Sequence, residues 1–390
     1  MGVFIIRVLA MICVLSWFLN VSFINFLVSL CFSMLSPIYS ISGGVLVVIP
    51  LTRFHTTGRV ERFESEKEGE KVVEVVEYLP HIVLSNGVEV PIIPYNTING
   101  CTKHALFKYT VKNMFLEGIE DKDFESRYEK LMQRNPSLGV LMSLKIPYIK
   151  PYMRDLDFKV KVFMNPFLSI YSFGIGKRVV SYSDAYPITR NLESAIEIKS
   201  RIQVIEYFNE KLKAEGFNEI PIPEVVTKFT EFDFKSRRRL DVTESTENQV
   251  IKYFAEKLGL SVDKVREYAF IKSIIWRREF MVAHVPLVSF VRVKVTHPLP
   301  IEHIGALVAS IVELDSLGRE TNQFQVHLVC TIENVKTQQE HLLYVMRDNA
   351  TNRVTMSDFA KKALEAYTKY IQSDEFVKEL NEIANYVFSK

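Results

Sequence analysis

An α+β fold built on an antiparallel sheet is what this 390-residue sequence predicts, on three observations. First, Pro286 to Glu333 reads as strand, helix, polar loop and strand. Val291, Val293 and Val295 alternate with Arg292, Lys294 and Thr296, the period of a half-buried strand. Ile304, Leu307, Val308, Ile311 and Leu314 follow as a single apolar stripe at helical spacing, and Val326, Leu328, Cys330 and Ile332 resume a strand. Second, GVLVVIPL from Gly44 to Leu51 is a short apolar run between a glycine pair and a basic stretch, which reads as a buried core strand. Third, Ser85-Asn86-Gly87 is a hairpin turn, because Asn-Gly supplies the positive φ angles that tight hairpins need. A strand, hairpin, loop and helix at one end and a β-α-loop-β unit at the other suggest a ferredoxin-like or RRM-like core with large, mostly helical insertions.

The other elements can be read in order. Glu64 to Glu70 is a charged solvent loop, and Val72 to Tyr78 is a strand. Val88 to Ile93 is the second arm of the hairpin. Pro94 to Gly100 (PYNTING) is a loop that opens a helix running from Thr102 to Phe115. Glu117 to Arg154 is charged and irregular, interrupted by Pro136, Pro147 and Pro151. Asn191 to Glu215 is a long amphipathic helix that stops at Gly216, and Pro221 and Pro223 then mark a linker. Thr246 to Leu258 and Val262 to Arg278 form a helix pair, with Ser261 as N-cap of the second. Met356 to Lys390 is mostly helical, broken near Ser373. The core is thereby split into 37–116, 159–190 and 284–355. Insertions occupy 117–158 and 191–283, with C-terminal helices at 356–390 and an apolar leader at 1–36.

Composition bounds the function. The apolar and charged fractions, 48% and 24%, are those of an ordinary folded protein. A net charge of +2 excludes a general polycation, so any nucleic-acid surface must come from local clustering of the 48 Lys and Arg. Cys13, Cys31, Cys101 and Cys330 are scattered without a C-x-x-C pair, which argues against a zinc site or a disulfide framework and fits a reducing cytoplasm. From Val8 to Met34 no charged residue appears, and about 20 apolar residues suffice to cross a bilayer. That run reads as a mis-assigned extension with Met34 as the true start, or else as a membrane anchor. No second span follows, and no membrane partner is expected.

Four basic or polar clusters stand out. Arg53, His55 and Arg59 lie in RFHTTGRVER; Asn99, Lys103, His104 and Lys108 open the first helix. Phe229, Phe232 and Phe234 precede Lys235, Arg237, Arg238 and Arg239, and Gly318 to Gln323 carries Arg319, Thr321, Asn322 and Gln323. Aromatics interleaved with cations let bases stack while phosphates are neutralised. The plainer reading of any one cluster is a solvated face with half-buried phenylalanines. Their coincidence at loop ends of one core points to RNA.

Enzyme signatures are sparse. The chain has no G-x-x-x-x-G-K-[ST], no H-E-x-x-H and no G-x-S-x-G. Asp155 and Asp157 could share a metal, though D-x-D in a loop is usually a solvated turn. His81, His284 and His327 read as structural, and His297 and His303, which flank a Pro-rich helix start, as capping or packing residues. No metal and no cofactor is expected.

Ile170 to Tyr186 (IYSFGIGKRVVSYSDAY), with its Phe-Gly pair, basic residue, short strand and Asp-Ala, resembles a signature of the RAMP superfamily of CRISPR effector proteins. Leu317 to Val326 sits where that family has its glycine- and arginine-rich loop, and PYNTING before Lys103 is similar to the loop that opens its first helix. His284 to Phe290, then Thr296-His297-Pro298, look most like the backbone subunit of type I-D Cascade complexes. The likeness spans Gly43 to Glu333. Three departures stand out. Only Gly318 remains in the loop; a cysteine cluster before the Phe-Gly pair is missing, so zinc is not carried over; and no acidic residue matches the one used by RNA-cleaving members.

The resemblance implies a non-catalytic, cytoplasmic subunit that polymerises along CRISPR RNA in an antiviral ribonucleoprotein and holds nucleotides against an RRM-like sheet. Its implied partners are the CRISPR RNA, target DNA reached through guide pairing, further copies of the chain and other effector-complex subunits. Binding must ignore sequence, because spacers differ, so contacts go to the backbone. Lys103, His104, Lys177, Arg178 and Arg319 are then the phosphate contacts, with Asn99, Thr321 and Gln323 bonding sugar or phosphate. Arg53, His55, Arg59 and Asn322 complete the RNA-binding set, and Lys235, Arg237, Arg238 and Arg239 cover the RNA or displaced DNA. A metal-dependent RNA endonuclease on the same fold, using Asp155 and Asp157, is the alternative.

Overall fold

In chain order the computed structural model has β1 (Ile38–Pro50), β2 (Val60–Lys67), β3 (Glu70–Glu77), β4 (His81–Val83), β5 (Glu89–Pro91), α1 (Tyr95–Asn113), α2 (Phe124–Arg134), α3 (Pro136–Ser143), α4 (Leu156–Met164), α5 (Pro166–Ser169), β6 (Val180–Tyr182) and β7 (Tyr186–Pro187). These are followed by α6 (Ile196–Ala214), β8 (Thr230–Arg237), α7 (Glu244–Leu258), α8 (Val262–Ala269), β9 (Ser273–Met281), β10 (Leu287–Val293), β11 (Leu299–Pro300), α9 (Ile301–Val312), β12 (Phe324–Asn334), β13 (Gln339–Asp348), β14 (Arg353–Met356), α10 (Asp358–Ile371) and α11 (Asp374–Phe388). The structure describes residues 37–56, 58–67, 70–119, 123–143, 156–171, 178–237, 244–269, 273–294, 298–317 and 323–388.

The main sheet runs β14-β13-β12-β1-β10-β6 with every pairing antiparallel. β1 lies at its centre because Val45, Leu46, Val47 and Val48 bury side chains on both faces. Val45 pairs with Phe290 on one side and Val329 on the other. Counting only β1, β6, β10 and β12, with α1 and α9 as crossovers, the spatial order is fourth-first-third-second. This is the ferredoxin-like arrangement the sequence predicts.

Both faces of this sheet are covered. One packs against α1, α9, α10 and α11 through Leu46, Leu328, Leu307, Tyr367 and Leu380. Gly305 lets α9 and α10 approach, since a Cβ there would lie 2.1 Å from Ala363 O. The other face carries Val45, Val47, Val288, Val329 and Tyr344 and lies under Ile198, Ile202, Ile205, Phe208 and Leu212 of α6. Each of those α6 side chains contributes roughly 1.5–3 kcal/mol on burial. The expectation that nucleotides lie against the sheet is therefore overturned: α6 occupies that surface.

A second sheet, β2-β3-β9-β8, stands apart from the first. It corrects two expectations. Glu64 to Glu70 belongs largely to the β2–β3 hairpin, not to a loop, and Ser273–Met281 is a strand, not the end of a helix. Glu117 to Arg154 is also more ordered than expected, since it includes α2 and α3. The amphipathic helix before Gly216 (φ 78°), the Ser261 cap on Lys264 N (3.2 Å) and the C-terminal helix pair all match the sequence reading.

Candidate nucleic-acid interface

PYNTING is not a loop but the first two turns of α1. Pro94 offers no side-chain cap, and Tyr95 N instead donates to Asp184 Oδ1 at 2.7 Å, a cap delivered from the far side of the fold. Asn99 takes part in the same junction. Its amide nitrogen donates to Tyr95 O (2.7 Å) and its oxygen accepts from Tyr182 N (3.4 Å), tying α1 to β6.

Beneath this junction lies a chain of buried hydroxyls. Tyr171 lies 2.9 Å from the Tyr182 hydroxyl and 2.7 Å from Ser310 Oγ, with Thr102 also bonded to it. Burial pushes the Tyr171 phenol up to about 12 and raises Tyr182 well above its ordinary range. Both stay neutral and act as hydrogen-bonding struts between α1, α9 and β6. Val179 N and Val180 N bond Ser169 O and Ile170 O, which fixes the stem on which Arg178 sits.

Lys103 and Arg178 meet at this edge. Partial burial pulls the Lys103 ammonium below its ordinary range, and the Arg178 charge adds to the pull. Two cations held together in a half-buried place favour an anion between them. Two more cations flank the same edge strand. Arg292 pairs across from Ser181, within electrostatic reach of Arg201 and Tyr186 on the α6 side, and Lys294 N bonds Val179 O at 2.8 Å. Arg178, Arg292 and Lys294 are exposed, and none forms an ion pair among the described residues. The strand alternation shows that Arg292 and Lys294 face outward, but their nearness to Arg178 comes only from the β10–β6 pairing.

Next to Lys103 on α1, His104 is exposed, with its imidazole held low by partial burial and by Lys108 against an opposing pull from Asp315. Lys108 Nζ bonds Asp315 Oδ2 at 2.6 Å. Burial alone would raise the Asp315 carboxyl, but the Lys108 hydrogen bond and charge outweigh it and hold the group below the usual range. Lys112 similarly bonds Glu313. Asn349 then donates to Asp315 O (3.1 Å) and accepts from Phe324 N (2.7 Å), so one side chain clasps both roots of the 316–323 segment. Arg319, Thr321 and Asn322 lie outside the described residues, as do Lys177 and the Phe-Gly signature; Gln323 is exposed and its carbonyl accepts from Leu51 N (2.8 Å).

The first basic cluster is elsewhere and is already neutralised. Arg53 pairs with Glu231 (3.4 Å) and Asp233 (3.7 Å), and Arg59 with Glu61 (2.6 Å). His55 is buried at 6% exposure. Arg53 and His55 thus lie against the second sheet, and Arg59 pairs at the start of β2. Lys235 and Arg237 are on β8 of that sheet, with side chains outside the described residues; Arg238, Arg239 and Asp155 lie outside them altogether, as does the side chain of Asp157. Among the described residues no group of His, Cys, Asp and Glu could hold a metal ion, and no helix is long and apolar enough to cross a membrane.

Comparison with known proteins gives no matching family model and no matching curated protein. Among solved structures, the chain is similar to a chain of a type IV-B CRISPR complex (TM-score 0.32, 9% identity, 73% of this chain and 90% of that one). It is also similar to Csc2 of Thermofilum pendens (0.28, 12%, 90% and 76%). A third likeness is to a chain of the type III-B Cmr-beta complex bound to cognate target RNA (0.27, 9%, 81% and 100%). All three likenesses are distant, in sequence and in superposition.

Proposed function

We propose that this chain binds CRISPR RNA along its ribose-phosphate backbone, as the repeating, non-catalytic subunit of an RNA-guided surveillance complex of type I-D character. The observation that carries this reading is the cation pair beside β6, where Lys103 of α1 lies within electrostatic reach of Arg178 on a ferredoxin-like core, with exposed Arg292 and Lys294 on the adjoining strand β10. The resemblance of 170–186 to the RAMP signature supports it, because Arg178 belongs to that stretch. Cations at a strand edge take phosphates and read no bases, which suits guides of unrelated sequence. The bases then stay free to pair with target DNA, and neighbouring copies and other subunits complete a cytoplasmic assembly.

Because α6 covers the sheet, the RNA path in this reading runs along the edge of β6 and the outer side of α1. Titrating the full chain with unrelated single-stranded RNAs by fluorescence anisotropy tests this. Affinities should agree across sequences and fall with salt, by a slope of about 0.7 per phosphate engaged. A marked preference for one sequence contradicts the proposal. Cleavage of labelled RNA in magnesium that EDTA abolishes would establish the endonuclease alternative instead.

A further inference from the structure

β13 runs further than the strand that covers it. β14 pairs only with Val345 to Asp348, so among the described residues Gln339 to Tyr344 have no strand on their outer side. The directions of their main-chain groups follow from strand alternation. Ser357 N donates to Tyr344 O (3.0 Å), while Ser357 Oγ accepts from Tyr344 N (3.1 Å) and donates to Leu342 O (2.8 Å). Tyr344 and Leu342 therefore turn their main-chain groups away from β12, and Glu340, two residues earlier, does the same. Leu342 N and both main-chain groups of Glu340 are left without a hydrogen bond among the described residues. Leu342 is only 7% exposed, and an unpaired N–H in so buried a residue favours an added acceptor.

A groove of about 790 Å³ opens on this edge, between the residues that follow α6 and the start of α10. Its two walls belong to different faces of the sheet. Phe217 and Leu342 pack with the cluster beneath α6, whereas Phe359 packs with the opposite cluster and stacks on His341 (4.6 Å, 7°). A strand laid here sends successive side chains to the two walls in turn. Most charges around the groove are answered. Lys211 bonds Glu340 (3.0 Å), Lys361 bonds Asp358 (2.9 Å), Arg353 stands directly across from Asp348, and Lys362 bears on His341. Glu215 differs: partial burial and the neighbouring Asp358 charge both raise its carboxyl, and no cation pairs with it among the described residues. A positive side chain is what that spot lacks.

We propose that this groove takes an extended peptide of a partner protein, added as a strand to the free edge of β13 through main-chain hydrogen bonds at Glu340 and Leu342, with a lysine or arginine set against Glu215. Main-chain bonds supply the affinity, and the two walls select apolar side chains at the positions they meet. The groove lies at the opposite edge of the main sheet from β6, so it is independent of what the β6 edge binds.

Hydrogen–deuterium exchange of the full chain tests this, with the capped peptide Val-Lys-Val-Lys-Val as the probe. Titrated in, the peptide should slow exchange across 339–344 and leave β6 and β10 unchanged. The same peptide with glutamate in place of lysine should not protect that segment, and neither should one N-methylated along its backbone. Glu215→Gln, a change at an exposed position, should weaken the lysine peptide about threefold, the scale of an exposed ion pair. No protection of 339–344, or equal protection by the glutamate or the N-methylated peptide, overturns the proposal. Protection of 339–344 by raised protein concentration alone also overturns it, since a second copy would then be the occupant.

Discussion

The guanidinium of Arg201 lies 3.9 Å from the centre of the Tyr186 ring, sandwiching α6 onto the sheet. Its nitrogens donate to Val288 O (2.9 Å), Glu197 O (2.8 Å) and Asp184 O (3.3 Å), and burial lowers the group to about 10. No other side chain has this planar fork of donors. Arg201→Met should cost about 3 kcal/mol, since it leaves buried carbonyls unpaired. Arg201→Lys should recover only part of this. Chemical denaturation reads both.

Acid should weaken the core through two buried histidines. Burial holds His303 and His327 at about 4 against an ordinary 6.5. The unfolded chain therefore binds more protons between those values, so stability is fully present above about 6.5 and is lost as pH falls toward about 4. Each histidine accounts for roughly 3 kcal/mol over that window. His327→Leu should flatten the slope of unfolding free energy against pH; an unchanged slope would show that the group is protonated in the fold.

The contact at Gly305 has no room for a methyl group. Its Cβ would meet Ala363 O at 2.1 Å and Tyr367 Cβ at 2.5 Å. Gly305→Ala should therefore destabilise by about 2 kcal/mol despite the better helix propensity of alanine, because α9 and α10 must separate. Thermal unfolding checks the sign: a stabilised variant would contradict the packing.

Much of the fold is legible in short-range pattern. The valine alternation of β10, the stripe of α9 and the Asn86-Gly87 turn each encode their element locally. The failures share a cause, which is that the deciding partner is distant in sequence. α1 starts at Tyr95 because Asp184 caps it, not because of any residue beside it. β2 looks like solvent loop because its charges stay exposed and are answered within the strand, as Arg62 is by Glu64, instead of being buried. β9 looks helical until β3 and β8 pair with it. At the site, Lys103 and Arg178 are readable as cations, whereas Arg292 and Lys294 join them only through strand pairing, and Arg53 leaves the set because Glu231 and Asp233 sit beside it.

The double charge reversal Lys103→Glu with Arg178→Glu, measured by RNA affinity across several unrelated sequences, bears most directly on the central claim. Arg178 is exposed and Lys103 is partly buried on α1, so circular dichroism of the variant must first show the fold retained. Affinity should fall at least about tenfold for every sequence alike, and the salt slope should drop by roughly 1.4, twice the single-strand value per phosphate. Unaltered affinity and slope would place the RNA elsewhere on the chain and contradict the account.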